Sequence, residues 1–238
     1  MKKLLLALTL NLSFVSPIFA QTSSAQAPAL DREALAAKYP GMEEGSSKPE
    51  NKKILCPFHR MLERAGLYDS SKKEQSALTV SIIKIATIAQ EFSCKVTSCG
   101  AVATAVSAGQ LTTFTSKLGH VNLEALHKAP GVSHECGLAF AKGSSEVSDA
   151  QRSATLAKLK DISDENGRLT FKNLQTVKEG ICKEQNVKNT FAGETEVKLI
   201  FAFLGGVDRG FIDYSDVERF FHAELPKTLG SPSDISKL

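Results

Sequence analysis

Cys56 stands directly before Pro57 in the stretch Ile54-Leu55-Cys56-Pro57-Phe58-His59-Arg60-Met61-Leu62-Glu63-Arg64-Ala65-Gly66. Proline is favoured at the first helical position, where its missing N–H is not needed. That places Cys56 at the N-cap or the residue beside it. Phe58, Met61, Leu62 and Ala65 then recur at helical spacing, and Gly66 reads as a stop. A sulfur there meets unpaired N–H donors and the positive end of the helix dipole, both of which favour thiolate over thiol. Such a sulfur suits a metal or haem iron. The plainer alternatives are a half-cystine or an inert buried thiol.

Four further cysteines follow: Cys94, Cys99, Cys136 and Cys182. An odd number in a chain that can form disulfides leaves at least one thiol that is free or pairs between chains. The four can form two bridges in three ways, and the spacing does not choose among them. If they do pair with one another, Cys56 is the one left over. Two other places carry side chains able to do chemistry. One is Ser133-His134-Glu135-Cys136, and the other is Glu194 near a helix start. His59, His120, His127 and His222 have no tight metal-ligand spacing, and no Cys-x-x-Cys occurs. A phosphate-cradling glycine loop and a nucleophile elbow are also absent from the sequence.

The first twenty residues read as a secretory signal: Lys2-Lys3, an apolar run from Leu4 to Val15, then Ser16-Pro17-Ile18-Phe19-Ala20. No later run reaches the roughly 18 apolar residues of a membrane span. The expectation is a secreted or periplasmic protein with no span after signal removal. Without the signal the formal charge falls from +3 to +1, which argues against a nucleic-acid partner.

Residues 21–50 read as a flexible arm containing one short helical piece behind Asp31. A single domain is expected over 51–230, with a polar tail over 231–238. Helices are expected over Pro57–Arg64, Ser76–Phe92, Ala101–Ala108 with a continuation to Leu118, and Leu123–Lys128 behind Asn122. Further helices are expected from an opening at Ser148 or Asp149 to Ile162, Phe171 to Cys182 behind Thr170, Glu194 to Leu204, and Asp216 to Glu224 behind Ser215. Ile83 and Ile88 widen the apolar face of the second of these, which implies deep burial. Tyr68–Gln75 reads as a polar turn, and Cys94–Cys99 as a loop. Nearly everything long is helical, so the fold class is all-α.

Two loops in the second half have the outline of calcium-binding EF-hand loops. Ile162 to Leu169 and Gly205 to Ile212 each place a glycine at loop position six and an aliphatic residue at position eight. The ligand positions do not follow. Position one is Ile162 or Gly205, and position twelve is Asn173 or Asp216, where an acid and a bidentate Glu are usual.

Three segments together resemble the haem-thiolate peroxidase family of fungal chloroperoxidases and unspecific peroxygenases. Cys56 to Gly66 resembles the family's Cys-Pro-x-x-Asn-x-Leu-Ala-Asn-His-Gly, with Arg60 for the Asn and Ala65 for the His. Val121 to Leu126, followed by Val132 to Leu138, resembles the segment with Glu-His-Asp-x-Ser-Leu. There His134 and Leu138 match, Glu135 stands for Asp, Ser133 for Glu and Gly137 for Ser. Gly193-Glu194, Gly205-Gly206, Gly210 and Phe220 to Pro226 resemble the closing pattern. The likeness covers roughly residues 50 to 230.

The resemblance implies a single helical domain around a haem pocket, with haem b bound. It implies oxidation of a small organic substrate or halide by hydrogen peroxide. Cys56 would be the axial iron ligand, with Pro57 beside it. His134 and Glu194 would be the distal acid–base pair. A family magnesium site uses the motif's Glu and Ser, here Ser133 and Gly137, which leaves Glu135 as its one carboxylate. The alternative is a secreted, non-enzymatic all-α protein that keeps a degenerate haem or EF-hand-like module.

Overall fold

Short polar side chains set where the helices begin. The computed structural model describes residues 29–68, 78–133 and 135–238, which are mostly helical. Asp31 accepts from the Ala34 amide and opens α1 (Arg32–Lys38), and Cys56 is the N-cap of α2 (Pro57–Arg64). β1 (Thr79–Ser81) leads directly into α3 (Ile82–Glu91), which Ser81 caps by accepting from Lys84. α4 (Val96–Thr112) follows, then β2 (His120–Asn122), then a 3-10 segment Leu123–Lys128 capped by Asn122. Ser148 caps α5 (Asp149–Ile162), and β3 (Arg168–Leu169) precedes α6 (Phe171–Glu184), which Thr170 and Asn173 open as a capping box. Thr190 caps α7 (Phe191–Phe203). The short α8 (Gly206–Arg209), β4 (Ile212–Asp213) and α9 (Tyr214–Phe221) complete the order.

One hydrophobic cluster joins these elements, from Leu35 and Met42 through Met61, Leu62, Phe92, Leu159 and Ile181 to Phe201, Phe220 and Leu225. β1 pairs antiparallel with β2, Val80 opposite Val121. β3 pairs antiparallel with β4, Leu169 opposite Ile212. Two disulfides pin the connections. Cys94–Cys99 closes the turn between α3 and α4, and Cys136–Cys182 ties the irregular segment before α5 to α6. Cys56 is free.

Several elements differ from the sequence expectation. The helix expected over Ser76–Phe92 starts only at Ile82. Leu78 and Val80 are buried at alternate positions, and the Leu78 carbonyl accepts from Leu123 beside the β2 pairing. Ile83 is 75% exposed rather than deeply buried. The expected loop Cys94–Cys99 is largely the first turn of α4. That helix runs through Gly109 without a break, and the glycine there gives room to the Pro130 backbone, which a Cβ would meet at 3.0–3.2 Å. The seventh helix begins one turn before Glu194, and the last begins before Ser215.

The described parts of the arm and of the polar tail pack against the domain. Leu35 and Met42 are fully buried, and the Leu225 amide donates to Met42 O at 2.8 Å. Arg64 holds the arm through the carbonyls of Ser46 and Lys48. At the other end Pro232 is buried, Ser231 donates to Ser93 O, and Lys198 donates to Leu238 O. The expected signal over 1–20, the polar turn after Tyr68 and His134 lie outside the described residues. Among the described residues no helix is long and apolar enough to cross a membrane.

Candidate functional site

The free thiol sits where its spacing placed it. Cys56 has extended backbone (φ −71°, ψ 119°) at the head of α2, with Pro57 buried behind it as the first helical residue. Cys56 as a residue is half-buried. It makes no capping hydrogen bond of normal geometry, although the amides of His59 and Phe58 lie close enough to favour its charged form. Burial pushes the thiol up. Those amides and the Arg60 charge pull it back, and Glu196 adds to the rise. The balance lies above the ordinary value, the reverse of the helix-terminus expectation, because desolvation outweighs a dipole effect confined to one turn.

Aromatic and imidazole groups surround this turn. Phe58 packs edge-on to Phe92 and Phe203 at 5.5 and 5.3 Å between ring centres. His59 Nδ1 and Tyr68 OH are 3.3 Å apart. Burial lowers the imidazole to about 4, and it raises the Tyr68 phenol, with the nearby Cys56 adding to that rise. Both groups are therefore neutral at pH 7.

Arg60 is fully buried one helical turn after Cys56. Its Nη1 donates to the carbonyls of Ile54 and Leu55 at 3.0 and 2.9 Å, the two residues leading into Cys56. Its Nη2 donates to Phe221 O at 3.0 Å. The residue at the family's Asn position thus clamps the approach to the thiol onto the end of α9. Burial lowers the guanidinium to about 10, against the opposing charges of Glu50 and Cys56.

The other candidates are spread more widely. Glu194 is exposed in the first turn of α7. The carboxylate whose charge reaches the Cys56 sulfur is Glu196, two residues on. Glu196 is paired at 2.6 Å with Lys178, a fully buried ammonium that also donates to Cys136 O. Lys178 therefore ties the segment that follows His134 to the turn carrying Glu194. Gly193 makes this possible, since a Cβ there would fall 2.3 Å from Asn189 Oδ1 and 3.1 Å from Lys178 Cε. Glu135 is 63% exposed and lies 3.9 Å from Lys142 Nζ. Among the described residues no group of three His, Cys, Asp or Glu could hold a metal ion.

The calcium-like loops pair as EF-hands do, through Leu169 and Ile212 at position eight of each. Their ligand positions are otherwise engaged. Asp164 accepts from the amides of Asn166 and Arg168. Arg209, at position five of the second loop, points its guanidinium inward. It donates to Gly205 O at 3.4 Å, Leu204 O at 2.9 Å and Asp213 Oδ2 at 2.8 Å. Asp216, at position twelve, accepts from the amides of Lys227 and Thr228. Among the described residues these loops do not assemble a calcium ligand set.

Sequence reasoning missed Glu50, Arg152, Tyr68 and the Lys178–Glu196 pair. Lys178 alone left a local signal: it shares the buried face of α6 with Leu174, Val177 and Ile181. No protein-family model matches the chain, and no curated protein sequence matches it.

Proposed function

We propose that this chain is an exported haem-thiolate oxidoreductase of the peroxidase or peroxygenase kind, with Cys56 as the axial iron ligand. The observation that carries the reading is the isolation of Cys56. Four cysteines are held in two disulfides, and the fifth is a free, half-buried residue at a helix start. Amide N–H groups beside the Cys56 sulfur support the reading, since such donors stabilise the thiolate form that would ligate haem iron, against the burial that opposes it. When bound, the haem supplies redox chemistry that breaks the O–O bond of hydrogen peroxide and oxidises a small organic molecule or halide.

The chain's own share is positional and acid–base. Pro57 starts the helix without a donor of its own, leaving the Phe58 and His59 amides to face the sulfur. Neutral His59 and Tyr68 bond each other and keep that side uncharged. The resemblance assigns Glu194 and His134 the transfer of a proton from one peroxide oxygen to the other, which leaves as water. The magnesium of the family is left out of this reading. Ser133 and Gly137 replace two of its ligands, and Glu135 is exposed beside Lys142.

The test is haemin titration into the purified full chain. We expect a stoichiometric Soret band, with the red-shifted carbon monoxide adduct of a thiolate ligand, and its loss in Cys56→Ala. A chain that takes up no haem, or whose Cys56→Ala variant keeps the same spectrum, overturns the reading. Glu194→Gln is expected to abolish most peroxide turnover without moving the Soret band.

A further inference from the structure

Two buried guanidiniums share one carboxylate behind Cys56. Arg60 Nε lies 3.2 Å from Glu50 Oε2, and Arg152 Nη1 lies 2.6 Å from Glu50 Oε1. The three side chains are 0%, 7% and 12% exposed. The second acid on Arg152, Asp149, is 59% exposed and also pairs with Lys52. Water screens an exposed pair strongly and a buried one weakly. The buried part of the cluster therefore carries one positive charge in excess.

The same cluster is bonded to the chain that carries the sulfur. Arg60 takes the carbonyls of Ile54 and Leu55, and Arg60 and Arg152 both donate to Phe221 O. The negative group facing the sulfur is Glu196, and Lys178 neutralises it at 2.6 Å. Among the described residues, His59 and Tyr68 beside the sulfur are uncharged.

We propose that Arg60, backed by Arg152, is a positioning residue for the Cys56 sulfur. It fixes the Ile54–Cys56 peptide and imposes a net positive field there. The field stands on the chain's own charges. Its consequence rests on the haem reading: a positive field favours the less positive oxidation state and raises the potential of iron ligated at Cys56.

Two measurements separate field from haem. In the haem-free full chain, Cys56 is modified with anionic and cationic thiosulfonates of equal size. The ratio of the two rates cancels the thiolate fraction and reports the local field. The anionic reagent should be favoured, Arg60→Gln should lower the ratio about threefold, and Glu50→Gln should raise it by a similar factor. A merely structural role would move both variants the same way. Should Arg60→Gln not fold, Glu50→Gln must still raise the ratio, and Arg60→Lys must keep it near the parent value. In the haem-loaded chain the two neutralising variants should shift the iron potential in opposite directions, down for Arg60→Gln and up for Glu50→Gln. A tenfold change in the reduction equilibrium corresponds to about 59 mV. Rate ratios that stay fixed or move together overturn the inference. So does a thiolate-type haem spectrum whose potential neither variant moves. Opposite shifts in the rate ratio without any haem uptake uphold the field and overturn the proposed function.

Discussion

Replacing Arg209 by methionine tests whether a guanidinium has taken the cation's place in the second of the paired loops. The side chain donates to Leu204 O at 2.9 Å and Gly205 O at 3.4 Å, and it pairs with Asp213 at 2.8 Å. It also lies 4.9 Å from the centre of the Phe211 ring. The ion pair is about a third exposed on both sides, so screening leaves it about 0.5 kcal/mol. The Leu204 carbonyl belongs to a fully buried residue and accepts from a charged donor, so losing that donor costs about 1–2 kcal/mol. The ring contact adds about 0.5 kcal/mol, and the long Gly205 contact adds little.

Arg209→Met should therefore lose about 2–3 kcal/mol, which for a chain of this size lowers Tm by about 5–10 °C. Urea and thermal unfolding, each run with millimolar calcium and with chelator, read the effect. The loss should be equal in the two media, because Asp216 is committed to the Lys227 and Thr228 amides and Asp164 to its own loop. A rise in wild-type Tm on adding calcium would refute the reasoning. So would a variant that loses less than about 0.5 kcal/mol.

Three further outcomes follow from the same geometry. His59 is held at about 4 by burial against about 6.5 in an unfolded chain, so the unfolded state binds its proton first. Stability is complete above about pH 6.5 and falls by on the order of 2–3 kcal/mol towards pH 4; His59→Asn should flatten that part of a pH–stability curve, and an unchanged slope counts against the assignment. Lys178→Met removes the ammonium that pairs with Glu196 and donates to the Cys136 carbonyl, and should cost about 2–4 kcal/mol in denaturant unfolding. Removing the Cys136–Cys182 bridge, which spans 46 residues, should destabilise by about 4 kcal/mol; removing Cys94–Cys99, which spans 5, should cost about 2 kcal/mol, and the reverse order would show that loop length does not govern them.

Signals confined to a few residues were legible. Asp31, Asn122, Ser148 and Thr170 cap where their side chains predict, and α2 runs from Pro57 to Arg64 as its proline and apolar spacing require. What failed depends on partners distant in the chain. Leu78 and Val80 fit a helix stripe as well as a strand, and the pairing with β2, some forty residues later, decides between them. Ile83 looks like core by type, but its neighbours Ile85 and Ile88 take the buried face and leave it outside. The arm looks disordered by composition, yet Leu35 and Met42 find a socket made by α2 and the residues after α9.

The candidate site divides along the same line. Counting five cysteines requires an odd one, and the two bridges among the other four make it Cys56. Its electrostatics are not local. The helix start predicts a stabilised thiolate, whereas the burial that reverses that balance comes from residues that Cys56 does not reveal. Arg60 makes the point sharply. In sequence it is a basic residue on a short helix, one turn beyond a cysteine. Folding buries it completely, sets Glu50 and Arg152 around it from ten residues before and ninety-two after, and gives both arginines the carbonyl of Phe221. A buried charge of this kind is costly unless its neighbours are arranged for it. Here the arrangement leaves one positive charge over, beside the chain's single free sulfur.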